Sequence, residues 1–174
     1  MDAHEIDHAK KWKYAKGELE RRFLIKNRPD FLDALPYKQI TDKYLKNANL
    51  RLRKVTNGAF TQYKLTKKLP TLSDGLSIQW VSTIYLSQGE YEIFLKLPGK
   101  IIEKRRYYYQ PEVGEIIGID EIQLGKDQRT IWIAEVEFNE RQEPTYSLPL
   151  AYDREVTNDK DYIGSVLAKH YIEE

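Results

Sequence analysis

The hydrophobic and polar positions of this chain read mostly as strands, with alternation of period two in two of them. Residues 38–45 and 50–56 alternate, 76–86 is rich in β-branched and aromatic residues, and 18–25, 60–68, 101–109, 115–124 and 130–138 also read as strands. Asn57-Gly58 is a strong hairpin signal between two of them, and Gly125-Lys126-Asp127 supplies a turn between the last two. Pro29 closes the first strand, and residues 31–35 allow a helical turn before Pro36. Ser87-Gln88-Gly89-Glu90 has the form of a capping box. It opens a helix carrying Tyr91, Phe94, Leu95 and Leu97, which Pro98-Gly99 stops. Residues 159–171 read as a closing helix with Tyr162, Val166, Leu167 and Tyr171 on one side, and residues 4–16 as a polar N-terminal helical extension. The sum is an α+β chain whose consecutive antiparallel strands close into an eight-stranded barrel, with helices packed on the outside.

Composition narrows the class. The 174 residues are 41% hydrophobic, enough for a core and too apolar for a disordered chain. No repeat or linker divides them, so residues 1–174 read as a single domain. With no cysteine, disulfide scaffolds, thiolate metal sites and cysteine nucleophiles are excluded. A formal charge of +1 disfavours a globally basic nucleic-acid binder. No apolar run is long enough to cross a membrane as a helix, and the charged N-terminus has no signal core. A cytoplasmic location is the expectation.

The charges are distributed oddly. Residues two apart on a strand share a face about 6.6 Å from each other. Such pairs here repeat one sign: Glu18 and Glu20 (followed by Arg22), Arg51 and Arg53, Lys104 and Arg106, and Glu135 and Glu137. Lys64 and Lys68 also share a face. Solvated outer faces of half-buried strands explain alternating charge in general, but they normally mix signs across a pair. In a barrel, one face of every strand points inward. If that face is the charged one, the interior is a wet tunnel, because unpaired buried charge is too costly for a packed core. A polyphosphate with a divalent metal would satisfy both rows, phosphate on the cations and Mg2+ or Mn2+ on the carboxylates. Spacing alone leaves the surface and tunnel readings open.

The segment ELERRFLI resembles the Glu-x-Glu-x-Lys signature of the CYTH superfamily, the triphosphate tunnel metalloenzymes. The resemblance continues in order through DKYLKNANLRLRKV, YKLTKK, EKRRYYY, GIDEI, IAEVEF and REVTNDKDYIGSVLA. It implies an eight-stranded antiparallel tunnel that binds a triphosphate end group and hydrolyses or rearranges it with Mg2+ or Mn2+. It also implies roles. Glu18, Glu20, Glu135 and Glu137 would hold metal, with Asp120 or Glu155 completing the shell. Arg51, Arg53, Lys68, Lys104 and Arg106 would bind phosphate, and Lys64 is an interior or tunnel-mouth cation. Glu18, Glu20 and Arg22 would stand closest to the chemistry. Two departures matter. Arg22 replaces the Lys of the signature, and Ser77, Gln79 and Val81 stand where many members carry an Arg-x-Glu-x-Glu strand. The function implied is metal-dependent hydrolysis of inorganic tripolyphosphate or a nucleoside triphosphate. The alternative is a triphosphate-binding module with little or no catalysis. The partner is a triphosphate-bearing small molecule, and a homodimer is compatible with this reading.

Other features have simpler readings. His4 and His8 share a helix face at metal-ligand spacing, but a solvated N-terminus explains them. His170 suits a helix C-terminus. In KRRYYY, alternation sends Arg105, Tyr107 and Tyr109 to the opposite face from Lys104 and Arg106, which breaks up a basic-aromatic nucleic-acid patch. Trp12, Trp80 and Trp132 read as packing residues.

Overall fold

The computed structural model describes residues 12–69, 78–125, 129–138 and 146–170. The strands are β1 (Lys16–Ile25), β2 (Tyr37–Leu45), β3 (Leu50–Asn57), β4 (Phe60–Lys68), β5 (Ile78–Leu86), β6 (Gly99–Tyr109), β7 (Ile117–Leu124), β8 (Arg129–Phe138) and the two-residue β9 (Arg154–Glu155). Helices α1 (Gln88–Leu95) and α2 (Gly164–His170) complete the set, with 3-10 turns at Asp30–Ala34 and Lys160–Tyr162. The sheet runs β5-β4-β3-β2-β6-β7-β8-β1-β9, every pairing is antiparallel, and β1 also pairs with β5. That last pairing closes eight strands into a barrel and leaves β9 as a short appendage on β1.

Alternation decides which residues face the bore. On the inward face of β1 lie Glu18, Glu20 and Arg22, and their neighbours Arg21 and Phe23 point out. The larger of two apolar clusters therefore sits outside the barrel wall. Phe23, Ile25, Tyr107, Ile117, Ile119, Trp132, Ala134 and Val136 pack beneath Leu32 of the first 3-10 turn and Leu148. Phe138 and Tyr146 extend this layer, with ring centroids 5.0 Å apart. Leu52 and Val136 are both fully buried on the outward side of their strands. This is the arrangement the tunnel reading requires and the surface reading forbids.

Helix α1 begins as the sequence predicts. The Ser87 hydroxyl accepts from the Glu90 amide while the Glu90 carboxylate accepts from the Ser87 amide. It lies on the outer wall, where Tyr91 packs on Tyr63 of β4 with centroids 4.6 Å apart, and Lys43 Nζ donates to the Leu95 carbonyl at 2.9 Å. The hairpin at Asn57-Gly58 forms with Gly58 at φ 57°, the left-handed conformation that favours glycine there.

Three expectations need correction. The helix expected over 159–171 is split: a 3-10 turn comes first, Ile163 is extended (ψ 133°), and α2 begins at Gly164. Asp159 causes the first part, because its side chain accepts from the Asp161 amide and caps a short turn instead of a long helix. Second, α2 does not lie on the outer wall. Leu167 and Ala168 pack on Ile102, Ile122, Ile131 and Ile133, which share the inward faces of β6, β7 and β8 with the charged rows, so α2 stoppers one end of the bore. Third, the N-terminal helix over 4–16, with His4 and His8, falls mostly on residues 1–11, outside the described residues; 12–14 form a turn and Lys16 already belongs to β1. No helix among the described residues is long and apolar enough to cross a membrane.

Candidate functional site

The bore is a cavity of about 890 Å³. Its lining includes the cations Lys16, Arg22, Arg51, Arg53, Lys64, Lys68, Lys104 and Arg106, and the carboxylates Glu18, Glu20, Asp42, Asp120, Glu135 and Glu137. Cations exceed carboxylates by two among these described residues, so the wall favours an anionic guest. The register explains the assembly. Arg22 stands opposite Glu135 and Glu20 opposite Glu137 across β1 and β8. Arg53 stands between Asp42 on β2 and Lys64 on β4, and Arg106 opposite Asp120 on β7.

Much of this charge is internally paired. Arg53 Nε and Nη2 donate to the two Asp42 oxygens at 2.5 and 2.7 Å, a bidentate fork on a carboxylate only 1% exposed. Lys104 Nζ donates to Asp120 at 2.5 Å, and Arg106 donates to both Asp120 oxygens at 2.6 Å and reaches Glu135 as well. Burial alone would push the Asp42 and Glu135 carboxyls up. Arg53 and Arg51 beside Asp42, and Arg106 and Lys104 beside Glu135, outweigh it and hold both well below the usual carboxylate range. The reverse holds at Glu20. Burial and the nearby Glu135 charge raise its carboxyl despite Arg22. Burial and Arg51 push the Lys68 ammonium down.

Ordering the predicted site residues by partner separates them into groups. Glu18, Glu20 and Glu137 line the bore, and Glu18 and Glu137 take part in no ion pair among the described residues. Lys64 lines the bore with its ammonium 5.2 Å from the Tyr85 ring centroid. Lys68 and Arg51 lie alongside, and Arg51 Nε is buried without a hydrogen-bond partner. Asp120 and Glu135 are in the bore but engaged by cations. Glu155 is not in it. The carboxylate lies on the outer side of β1, where Arg21 Nε and Nη2 donate to it at 2.9 and 2.5 Å, because β9 pairs with β1 at Phe23, an outward position. Its expected part in a metal shell is replaced by this external ion pair.

Arg22 also differs from expectation. Its Nη1 donates to the Tyr162 carbonyl at 2.7 Å and its Nη2 to the Thr157 carbonyl at 3.0 Å. It fastens the segment that leads into α2, a task for a planar fork that an ammonium could not duplicate. On β5, Val81 is buried opposite Lys16 and Lys68, and the Gln79 amide donates to the Leu69 and Trp80 carbonyls. Ser77 lies outside the described residues. The β5 wall therefore adds no carboxylate among the described residues. Sequence reasoning missed Asp42, the buried partner of Arg53. The signal was available: Asp42 shares a strand face with Ile40 and Tyr44, next to a strand that carries Arg51 and Arg53.

Do these residues suit a divalent cation? Among the described residues no group of three His, Asp or Glu side chains converges closely enough to hold an ion alone. Facing carboxylates at paired positions, such as Glu20 and Glu137, have Cβ atoms about 5 Å apart, and like charges there repel unless a cation is shared. Mg2+ is commonly held by one or two carboxylates with phosphate oxygens and water filling its remaining positions. Glu20 and Glu137, with Glu18 on the same face of β1, would offer hard oxygens to an ion that arrives with a phosphate.

No family model matches the chain, and no curated protein matches it. Solved structures do. Two structures of NE1496, one described as a hypothetical protein and the other as an inorganic triphosphatase, align at TM-score 0.55 and 25% identity over 87% of this chain and 97% of that one. PH1819 from Pyrococcus horikoshii OT3 aligns at TM-score 0.50 and 17% identity over 71% of this chain and 80% of that one, a likeness of fold. These neighbours and the closed eight-stranded barrel support the resemblance carried by the charged motifs.

Proposed function

We propose that this chain, a CYTH-type triphosphate tunnel by its fold, hydrolyses triphosphate-containing small molecules with Mg2+ or Mn2+. The observation that carries the reading is the inward convergence of charge: the cation rows of β3, β4 and β6 and the carboxylates of β1 and β8 line one bore. The similarity to the inorganic triphosphatase NE1496 supports it.

Phosphoryl transfer is dominated by positioning and charge neutralisation. Arg51, Arg53, Lys64 and Lys68 would grip the phosphates from one wall, and Lys104 and Arg106 would add positive potential from beneath. Asp42 and Asp120 hold Arg53 and Arg106 in fixed directions before substrate arrives, so little reorganisation is required. Glu18, Glu20 and Glu137 would hold the metal ion. Bound there, it would neutralise phosphate oxygens and lower the pKa of a nearby water. Arg22 acts as a positioning residue by fastening Thr157 and Tyr162 at the stoppered end. The test is phosphate release from tripolyphosphate with each metal. Glu20→Gln combined with Glu137→Gln should lower kcat by about 10²–10³-fold, on the scale of losing an electrostatic stabiliser. An unchanged rate would refute the assignment.

A second reading has its own support. Gln79 and Val81 leave β5 without the carboxylates the resemblance implies, which suits a module that binds triphosphate without turnover. Calorimetric binding of tripolyphosphate with no phosphate release in either metal would select it.

A further inference from the structure

A second cavity of about 620 Å³ adjoins the bore at the stoppered end, between the β2–β3 turn, the start of β6 and α2. Arg51, Lys68, Tyr44 and Ile163 line both cavities, so the two meet there. Beyond Arg51 and Lys68, the second cavity carries Lys46, Lys100 and Lys169, and no carboxylate lines it among the described residues. In the bore, by contrast, Arg22, Arg51, Arg53, Lys104 and Arg106 each lie within ion-pair distance of a carboxylate. None of the three outer lysines takes part in an ion pair among the described residues. Arg51 links the two spaces. Its Nε is buried without a hydrogen-bond partner, and the closest approach to Asp42 is 3.9 Å, too long for one. A buried donor left unpaired is costly, and an anion passing between the cavities would satisfy it.

We propose that this annex binds the continuation of a linear polyphosphate longer than the three phosphates the bore accommodates. The inference rests on the bore reading and specifies its substrate class. The charge pattern favours a polyanion over the nucleoside end of a nucleotide. The described lining offers no carboxylate for ribose hydroxyls, and Tyr44, its one aromatic, is turned against Gly164, where an added Cβ would meet the phenolic hydroxyl oxygen at 2.1 Å. The three outer lysines come from three separate elements and converge only in the folded barrel, so a sequence pattern does not reveal them.

The experiment compares tripolyphosphate, a long linear polyphosphate and ATP as ligands and substrates. It uses the wild-type protein, the variant Lys46→Gln/Lys100→Gln/Lys169→Gln, and a control variant Lys26→Gln/Lys54→Gln/Lys96→Gln that removes equal charge elsewhere. The annex variant should lose about tenfold or more in affinity and KM for the long chain, in a salt-dependent manner, while tripolyphosphate changes by less than about twofold. The control should spare both, and unaltered tripolyphosphate handling reports an intact fold. Equal losses for both polyphosphates, or none, would overturn the annex. A loss confined to ATP would overturn it in favour of a nucleoside site. A wild-type protein that takes tripolyphosphate but shows no gain with chain length overturns the annex alone, and one that binds neither polyphosphate overturns the bore reading with it.

Discussion

Asp42 shows how one residue can organise a charged interior. It is 1% exposed, and it anchors Arg53 by two hydrogen bonds with Arg51 close by. Replacing it by Ala leaves two guanidinium groups crowded without a counter-charge, and should cost about 3–5 kcal/mol in chemical denaturation. Its depressed carboxyl, like that of Glu135, contributes stability that is fully present above the ordinary carboxylate range near pH ~4 and is lost only as pH falls through the lower folded value. Asp42→Asn should therefore flatten the acid limb of the stability curve. Glu20 has the opposite sign. Burial and Glu135 raise its carboxyl, so stability falls as pH climbs from the unfolded value through the folded one. Glu20→Gln should raise the melting temperature of the metal-free protein at neutral pH while it lowers turnover, a combination that damage to the fold cannot produce. Lys68 adds a third signature. Its ammonium is pushed down by burial and Arg51, and a bound anion would restore it. Tripolyphosphate binding on the alkaline side should take up protons, seen as a dependence of binding enthalpy on the buffer's ionisation enthalpy.

At the scale of elements, the alternating strands were legible and the end of the chain was not. Strand patterning and turn signals located all eight barrel strands to within a few residues, and on β1, β6, β7 and β8 the outward face is buried against the outer core. The capping box placed α1 for a local chemical reason. The closing helix failed because its break combines the local Asp159 cap with tertiary contacts: Arg22 takes the Thr157 and Tyr162 carbonyls, and Gly164 sits hard against Tyr44. Two glycines around Tyr44 make this testable. A Cβ at Gly99 would lie 2.5 Å from the Tyr44 backbone oxygen, and one at Gly164 would lie 2.1 Å from the movable end of the Tyr44 side chain. Gly99→Ala should destabilise by about 2–3 kcal/mol and Gly164→Ala by less, since a ring can shift where a paired strand cannot. Thermal melts of the two variants rank them. Arg22→Lys keeps the charge but loses the fork, and should increase hydrogen exchange over 157–163 with little change in the barrel strands.

Across the whole molecule, the charged motifs disclosed the site better than they disclosed each residue's duty. Five same-sign rows pointed inward together because a two-residue period leaves no other face once Leu52, Phe23 and Val136 are buried outside. The sequence could not say which carboxylates would be engaged by neighbours. Asp120 and Glu135 pair with Lys104 and Arg106, Glu155 pairs with Arg21 outside, Glu20 lies 3.7 Å from Arg22, and Glu18 and Glu137 take part in no ion pair among the described residues. The most direct measurement is a crystal structure with tripolyphosphate and Mn2+. The account predicts phosphates inside the bore against Arg51, Arg53, Lys64 and Lys68, with the metal beside Glu20 and Glu137. Phosphate confined to the outer surface, with the bore collapsed around its own ion pairs, would contradict it.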